Sequence, residues 1–163
     1  MDDHPLSHRL DRLPLTAFKP LFAALEAPPT GALKGVYQGR FTGPAWLRRS
    51  AGPALLVAGL GGWWGKEFDG AQHGINLVRR KGQYRRIFPL QLVLEPSAFD
   101  GMPVMAVHYL PVCPFPWPWV IDELRQVEPG WLLGMSYANA GFLRKIAFPF
   151  LLHSRELSDG PTI

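Results

Sequence analysis

Turn-forming residues divide the chain from Trp63 onward into short segments, and this spacing constrains the fold more than any other feature. Asp69-Gly70, Lys81-Gly82, Asp100-Gly101 and Glu128-Pro129-Gly130 each separate two runs rich in β-branched, aromatic or other apolar residues. With an earlier run at 35–43, they predict about eight strands joined mostly by short turns. Consecutive antiparallel strands of that number close into a barrel, because closure removes the exposed edges. The sequence therefore predicts a mainly β, antiparallel barrel.

Helical patterns are confined to the first 60 residues. Apolar residues recur at helical spacing from Phe18 to Leu25, which predicts a short helix over 16–27 that covers or plugs one end of the core. The segment 44–60, directly after the first strand, also has helical character. Because Gly52-Pro53 interrupts it, we expect two short helical pieces there.

The chain of 163 residues fits one domain, which we place at 15–157 between flexible termini at 1–14 and 158–163. A single cysteine, Cys113, excludes an internal disulfide and favours an intracellular location. The charged start lacks the apolar core of a signal peptide, and the longest apolar run is too short and too rich in glycine to span a bilayer. We therefore expect a soluble, cytoplasmic protein.

Two segments are candidates for contact with a partner protein or an anionic surface. The net charge is +4, and most of the excess lies in one basic hairpin. Its arginines are Arg79, Arg80, Arg85 and Arg86. The second segment, 111–119, is an extended proline-rich loop with three large aromatic residues. They are Phe115, Trp117 and Trp119. The alternatives are a solvated hairpin tip and an aromatic loop that packs on the N-terminal helix. The charge alone does not indicate a nucleic-acid partner.

Two motifs resemble a known bacterial family. The sequence Gly35-Val-Tyr-Gln-Gly39 and the segment Trp63-Trp-Gly-Lys-Glu-Phe68 are similar to the Gly-x-Trp-x-Gly domain, although Tyr37 stands where that family has tryptophan. Residues 88–155 resemble the domain of unknown function that commonly follows it, including Ile121-Asp-Glu-Leu-Arg-Gln-Val127. The resemblance implies a lipocalin-like barrel and brings no established activity.

The chemistry of a barrel interior depends on which polar side chains point inward. In a regular strand Lys66 shares a face with Trp64, so we expect Lys66 beside Trp64 in the cavity as a cation for an acidic ligand head group. The alternative is that this glycine-rich stretch is only a tight barrel corner. By the same alternation, Asp122 and Arg125 lie on opposite faces. The predicted ligand-binding residues are Tyr37, Trp64, Lys66, His108, Tyr109, Asp122, Arg125 and Tyr137.

Metal and cofactor chemistry has little support in the sequence. His4 and His8 lie in the loose start, no other two histidines have metal-ligand spacing, and no phosphate loop, dinucleotide fingerprint or nucleophile elbow is present. A single histidine could ligate haem, but no second feature supports that. We expect a protein that binds a small hydrophobic or amphipathic molecule in its barrel. The alternatives are a cofactor-independent lyase, isomerase or cyclase, and an interaction module that uses the basic hairpin and the aromatic loop.

Overall fold

The computed structural model describes residues 3–155, and eight strands in this part form one closed antiparallel barrel. Each strand pairs with its neighbours along the chain, and the last strand closes on the first. The strands are β1 Lys34–Phe41, β2 Trp63–Asp69, β3 His73–Arg80, β4 Gln83–Pro96, β5 Pro103–Tyr109, β6 Val120–Glu128, β7 Trp131–Ala138 and β8 Phe148–Arg155. The α-helices are α1 Pro5–Asp11, α2 Phe18–Ala23 and α3 Ala45–Val57. The predicted mainly β barrel is confirmed.

Side chains alternate between two separate apolar cores, one inside the barrel and one outside it. On β5, Met105, Val107 and Tyr109 belong to the inner core, whereas Val104 and Ala106 belong to the outer core. The same alternation divides β7 and β8. Because neighbouring residues of a strand point to opposite faces, a short apolar run supplies both cores at once.

The N-terminal segment forms the second layer of the outer core. Its residues Leu6, Leu10, Phe18 and Phe22 are buried against the outer faces of β5 to β8. The prediction of a flexible segment over 1–14 is therefore wrong for the described part, because α1 lies within it and buries two leucines. The predicted 16–27 helix is shorter, and α2 lies on the barrel wall instead of plugging an end. The predicted flexible segment 158–163 lies outside the described residues.

A single helix, α3, covers one end of the barrel. The sequence predicts two pieces here, but the helix continues through Pro53. The end that α3 covers, where β1, β3, β5 and β7 finish, is the mouth end. The β3–β4 turn, the β5–β6 loop and the segment between β7 and β8 lie there too. In the part of the chain that the structure describes, no helix is long and apolar enough to cross a membrane.

Aromatic rings and aliphatic side chains together fill most of the barrel interior. Gly39 and Gly134 face inward, and each leaves room for a ring that lies against its backbone. The ring of Trp63 lies against Gly39, and the ring of Phe150 lies against Gly134. The two rings also pack on each other, with centroids 5.8 Å apart. A side chain at either glycine would overlap with a ring.

We predict that Gly134→Ala destabilises the protein because its new methyl group would overlap with the ring of Phe150. Overpacking of this kind costs about 1–3 kcal/mol in the free energy of unfolding, which urea denaturation measures. The double variant Gly134→Ala/Phe150→Leu should lose less stability than the two single variants added together, because the smaller leucine makes room. Strictly additive losses would show that the ring does not limit residue 134.

Candidate functional site

A cluster of four polar side chains lies inside the barrel, near its mouth end. Lys66 Nζ donates to Asn76 Oδ1 at 2.9 Å and to Tyr109 Oη at 2.7 Å, and it lies 3.1 Å from Asp122 Oδ2. Tyr109 Oη in turn donates to the same Asp122 oxygen at 2.9 Å. All four residues are buried. We call this group the Lys66 cluster, and it joins three charged or ionisable groups in an otherwise apolar lumen.

Two irregularities in the strands direct these side chains inward. The register between β2 and β3 shifts between Trp63 and Gly65, so Trp64 is an extra residue. The register between β3 and β4 shifts opposite Phe88, whose φ is 57°. Asn76 Nδ2 donates to the carbonyl of Phe88 at 3.0 Å. Bulges of this kind change the direction of side chains and are common near functional sites.

The first bulge overturns the predicted pairing of Trp64 with Lys66. Because Trp64 is the extra residue, Trp63 and Lys66 face the lumen together. Trp63 Nε1 donates to Asn76 Oδ1 at 3.2 Å, next to the lysine. Trp64 packs on the ring of Tyr84, on the outer face of the barrel. Trp64 is therefore not a residue of the lumen, and Trp63 occupies the position expected for it.

Burial shifts the pKa values of the cluster in opposite directions. Burial in the apolar barrel lowers the pKa of Lys66, and the nearby Asp122 carboxylate partly opposes this effect. Burial also raises the pKa of Tyr109 well above its ordinary value, and Asp122 raises it further. Both shifts favour the neutral forms, as expected for ionisable groups removed from water.

A small cavity borders the cluster, and a larger apolar cleft adjoins it. The inner cavity has a volume of about 40 Å³, which is room for about two water molecules. It is lined by Phe41, Leu55, Leu60, Trp63, Lys66, Tyr109, Trp117, Asp122, Ser136 and Phe150. The cleft has a volume of about 410 Å³ and lies between α3 and the rim of β6 to β8. Both spaces share Phe41, Leu55, Trp117 and Ser136.

Three other predicted site residues lie away from the cluster. Tyr37 faces the lumen, but it packs edge-on against Phe68 and does not line the cavity. His108 is on the outer face and partly exposed, where its Nε2 lies 2.8 Å from Glu95 Oε1. Tyr137 also faces outward and lines the outer side of the cleft. The structure therefore brings together Lys66, Tyr109 and Asp122 from the predicted set.

Arg125 belongs to an outer polar network that anchors the N-terminal segment. It faces away from Asp122, as the alternation predicts, and its side chain is fully buried. The guanidinium donates to both oxygens of Asp100 at 2.6 and 2.8 Å, and also to the carbonyl of Phe22 at 2.9 Å. Arg125 therefore fixes α2 on the barrel wall, and it does not reach the lumen.

Four residues of the site, Asn76, Trp63, Trp117 and Ser136, are not predicted as site residues from the sequence. Asn76 stands in the apolar segment Ile75-Asn-Leu-Val78, and a lone amide in such a strand is the signal that could have found it. The sequence places Trp117 in an exposed loop, but it is buried, and its Nε1 donates to the carbonyl of Ala58 at 2.6 Å. This bond joins the aromatic loop to the end of α3.

No metal centre is evident within residues 3–155, because no three His, Cys, Asp or Glu side chains there are grouped to hold an ion. Cys113 is buried with its Sγ 3.4 Å from the carbonyl of Pro89, and burial raises the pKa of its thiol. A thiol in that state is a weak nucleophile.

The fold and the cluster define a small closed barrel with a buried ion pair beneath a covered mouth. The chain is similar to a solved structure described as a crystal structure of a protein from Thermomonospora curvata, with a TM-score of 0.67 at 18% identity. The match covers 91% of this chain and 93% of the other. At that identity the likeness concerns the fold alone. No family model and no curated protein matches the chain, so the resemblance to the Gly-x-Trp-x-Gly domain stays a prediction.

We predict that Tyr109 makes the protein lose stability in alkali. In the unfolded chain a tyrosine ionises near its ordinary pKa of 10.0, whereas the folded pKa of Tyr109 lies well above that value. As the pH rises through 10.0, this tyrosine loses its proton in the unfolded chain but keeps it in the folded chain. The unfolded chain then binds fewer protons than the folded chain, so the free energy of unfolding falls as pH rises. The slope attributable to this residue is at most about 1.4 kcal/mol per pH unit.

The measurement is urea denaturation between about pH 9 and about pH 11 on the wild type and on Tyr109→Phe. The wild type should lose more stability across this range than Tyr109→Phe, because Lys66 and the other tyrosines titrate in both proteins. The control is Tyr84→Phe on the outer face, which should follow the wild type. Parallel curves for the wild type and Tyr109→Phe would contradict the prediction.

Proposed function

We propose that the protein binds a small amphipathic molecule, with the apolar part in the mouth cleft and the polar head directed at the Lys66 cluster. The observation that carries this proposal is that the two spaces adjoin each other, with four lining residues in common. An apolar cleft with few convergent polar groups is the usual composition of a ligand site. The cleft volume of about 410 Å³ lies within the usual range for small ligands.

The charge balance of the cluster favours a neutral head group. Asp122 lies 3.1 Å from Lys66, so the lysine already has its counter-ion. A carboxylate ligand would meet the carboxylate of Asp122 at close range in an apolar environment, where like charges repel strongly. A hydroxyl or carbonyl group can take the place of a water molecule in the small cavity and exchange hydrogen bonds with Lys66 or Tyr109. A ligand with an acidic head group, which the sequence alone left open, is therefore less favoured than one with a neutral head group.

The experiment compares three probes of equal chain length, namely a medium-chain fatty alcohol, the fatty acid and the alkane. Tryptophan fluorescence reports binding, because Trp46 and Trp117 line the cleft. We predict that the alcohol binds more tightly than the acid. The variant Ala54→Phe places a ring in the cleft and displaces two or more methylene groups of the ligand, each contributing about 0.8 kcal/mol. Binding should weaken by about ten-fold or more.

The matched control is Leu56→Phe, on the exposed side of the same helix. It should bind the alcohol as the wild type does. If Ala54→Phe binds like the wild type, the cleft is not the site. If no probe quenches or shifts the fluorescence, the proposal of an amphipathic ligand fails.

A second candidate function is a cofactor-independent lyase or isomerase, and the opposed pKa shifts of Lys66 and Tyr109 beside a cavity favour it. Ionisable groups with displaced pKa values in a cleft are typical of active sites. In such a reaction Asp122 would take a proton from a carbon next to a carbonyl group. Lys66 and Tyr109 would donate hydrogen bonds to the oxygen of the resulting enolate.

This candidate predicts that the protein exchanges the α-protons of a small cyclic ketone with deuterium in heavy water, followed by proton NMR. Asp122→Asn should reduce the exchange rate about 100-fold or more, because the amide is not a base. The control is Glu95→Gln, which removes a carboxylate from the outer face beside His108. Exchange no faster than in buffer, or equal in both variants, would count against an enzyme of this class.

A further inference from the structure

Exposed apolar side chains are concentrated at the mouth end. Among the described residues, every exposed large hydrophobic side chain except Leu94 and Met102 lies on α3, on the β5–β6 loop, on the segment that leads into β8 or at the first residue of β8. The most exposed include Leu56 at 69%, Val57 at 90%, Phe115 at 78% and Phe142 at 73%. Soluble proteins rarely leave apolar side chains of this size together on one surface without an interaction that uses them.

Basic side chains lie at the same end, and acidic ones are missing from its connecting segments. The segments 42–62, 79–86, 110–119 and 138–147 contain no Asp or Glu, and all four lie within the described residues. Their exposed cations are Arg48, Arg49, Arg79, Arg80, Lys81, Arg85, Arg86, Arg144 and Lys145. We call the exposed residues of these four segments the mouth rim.

Hydrogen bonds join the four rim segments into one surface. Arg80 donates to the carbonyls of Gly61 and Gly59, which links the basic hairpin to the end of α3. Trp117 donates to the carbonyl of Ala58, and the amide of Asn139 donates to the carbonyl of Trp119. The cations and the apolar side chains therefore belong to one continuous rim.

Two carboxylates outside the rim segments, one at the end of α1 and one on β2, lie close enough to affect the rim. Asp11 pairs with Arg40 and Arg48, and its side chain is mostly buried. Glu67 pairs with Arg86, with its Oε2 2.6 Å from Nε. Even with Arg48 and Arg86 neutralised in this way, Arg49, Arg79, Lys81, Arg85 and Arg144 keep the rim strongly positive.

We propose that the mouth rim docks on the surface of an anionic lipid bilayer. The cations complement the negative headgroups, while the exposed apolar side chains enter the boundary between headgroups and acyl chains. The transfer of exposed leucine, valine and phenylalanine side chains from water into that boundary is favourable. A nucleic acid would use the cations and stack on aromatic rings, but it would leave Leu56, Val57 and Ile146 without a partner. A second copy of the chain would bring two positive rims face to face, which charge repulsion opposes.

Docking of the rim is separate from ligand binding in the cleft, so the two proposals can fail independently. The experiment is co-sedimentation of the full chain with phosphatidylcholine vesicles, prepared with and without phosphatidylserine. We expect binding to the vesicles that contain phosphatidylserine at low salt, and its loss at about 0.5 M salt. The tryptophan emission should shift to the blue as Trp46 and Trp119 leave water.

Two rim variants separate the charge contribution from the apolar contribution. Arg85→Gln/Arg144→Gln should weaken the partition to anionic vesicles by about 25-fold, since each cation near such a surface contributes about five-fold. Val57→Ser/Phe142→Ser should reduce binding and remove most of the blue shift. The matched controls lie away from the mouth, namely Lys34→Gln for charge and Leu94→Ser/Met102→Ser for apolar exposure.

The outcomes decide the proposal clearly. Binding that requires phosphatidylserine, and that the rim variants weaken while the controls do not, supports it. Four results would overturn it, and the first three are no binding to anionic vesicles at low salt, equal loss in the control variants, and tighter binding of a single-stranded oligonucleotide than of the vesicles. Self-association without lipid that Val57→Ser/Phe142→Ser abolishes would assign the rim to a second copy and would also overturn it.

Discussion

The ion pair between Lys66 and Asp122 is the interaction on which the interior of this barrel depends. Removing either charge from water costs several kcal/mol, and the attraction between them offsets this cost only where the remaining hydrogen bonds are also made. Asn76 and Tyr109 make those bonds here. Replacing a buried ion pair with well-packed apolar side chains of similar volume is often neutral or stabilising, so stability alone is a weak reason for the cluster. Its position beside a cavity therefore favours a role in binding or chemistry.

The same strand keeps this inner chemistry apart from an outer polar network. On β6, Asp122 points into the lumen, whereas Glu123 and Arg125 point outward beneath the N-terminal segment. Glu123 accepts hydrogen bonds from Ser97 Oγ and from the amide of Ala98, and Arg125 binds Asp100. Each outer charge is satisfied by a loop or helix that it holds in place. Neighbouring residues in the sequence thus have separate structural roles, and of these three only Asp122 lines the inner cavity.

Much of the fold could be predicted from turn chemistry, because residues such as Asp100-Gly101 favour one backbone geometry irrespective of distant contacts. The inward direction of Lys66 could not be predicted reliably. It depends on the bulge at Trp64, which arises from pairing between β2 and β3 and not from local preference. Pro53 did not end α3, since the helix packs on the barrel on both sides of the proline, through Leu47 and Ala51 before it and Leu55 after it. Likewise, α1 forms because Leu6 and Leu10 find an apolar wall, which a local pattern does not reveal.

Because side chains fill the lumen, the space that could hold a ligand lies at the mouth of the barrel and not at its centre. Trp63 and Phe150 occupy the interior, so the larger space is the cleft beneath α3. That helix has two faces with different surroundings, because Leu55 lines the cleft while Val57 is exposed at the rim. The exposed face of α3 and the wall of the cleft therefore belong to the same helix. An amphipathic guest that leaves a bilayer at the rim would enter the apolar cleft next and meet the Lys66 cluster last, without its apolar part crossing water.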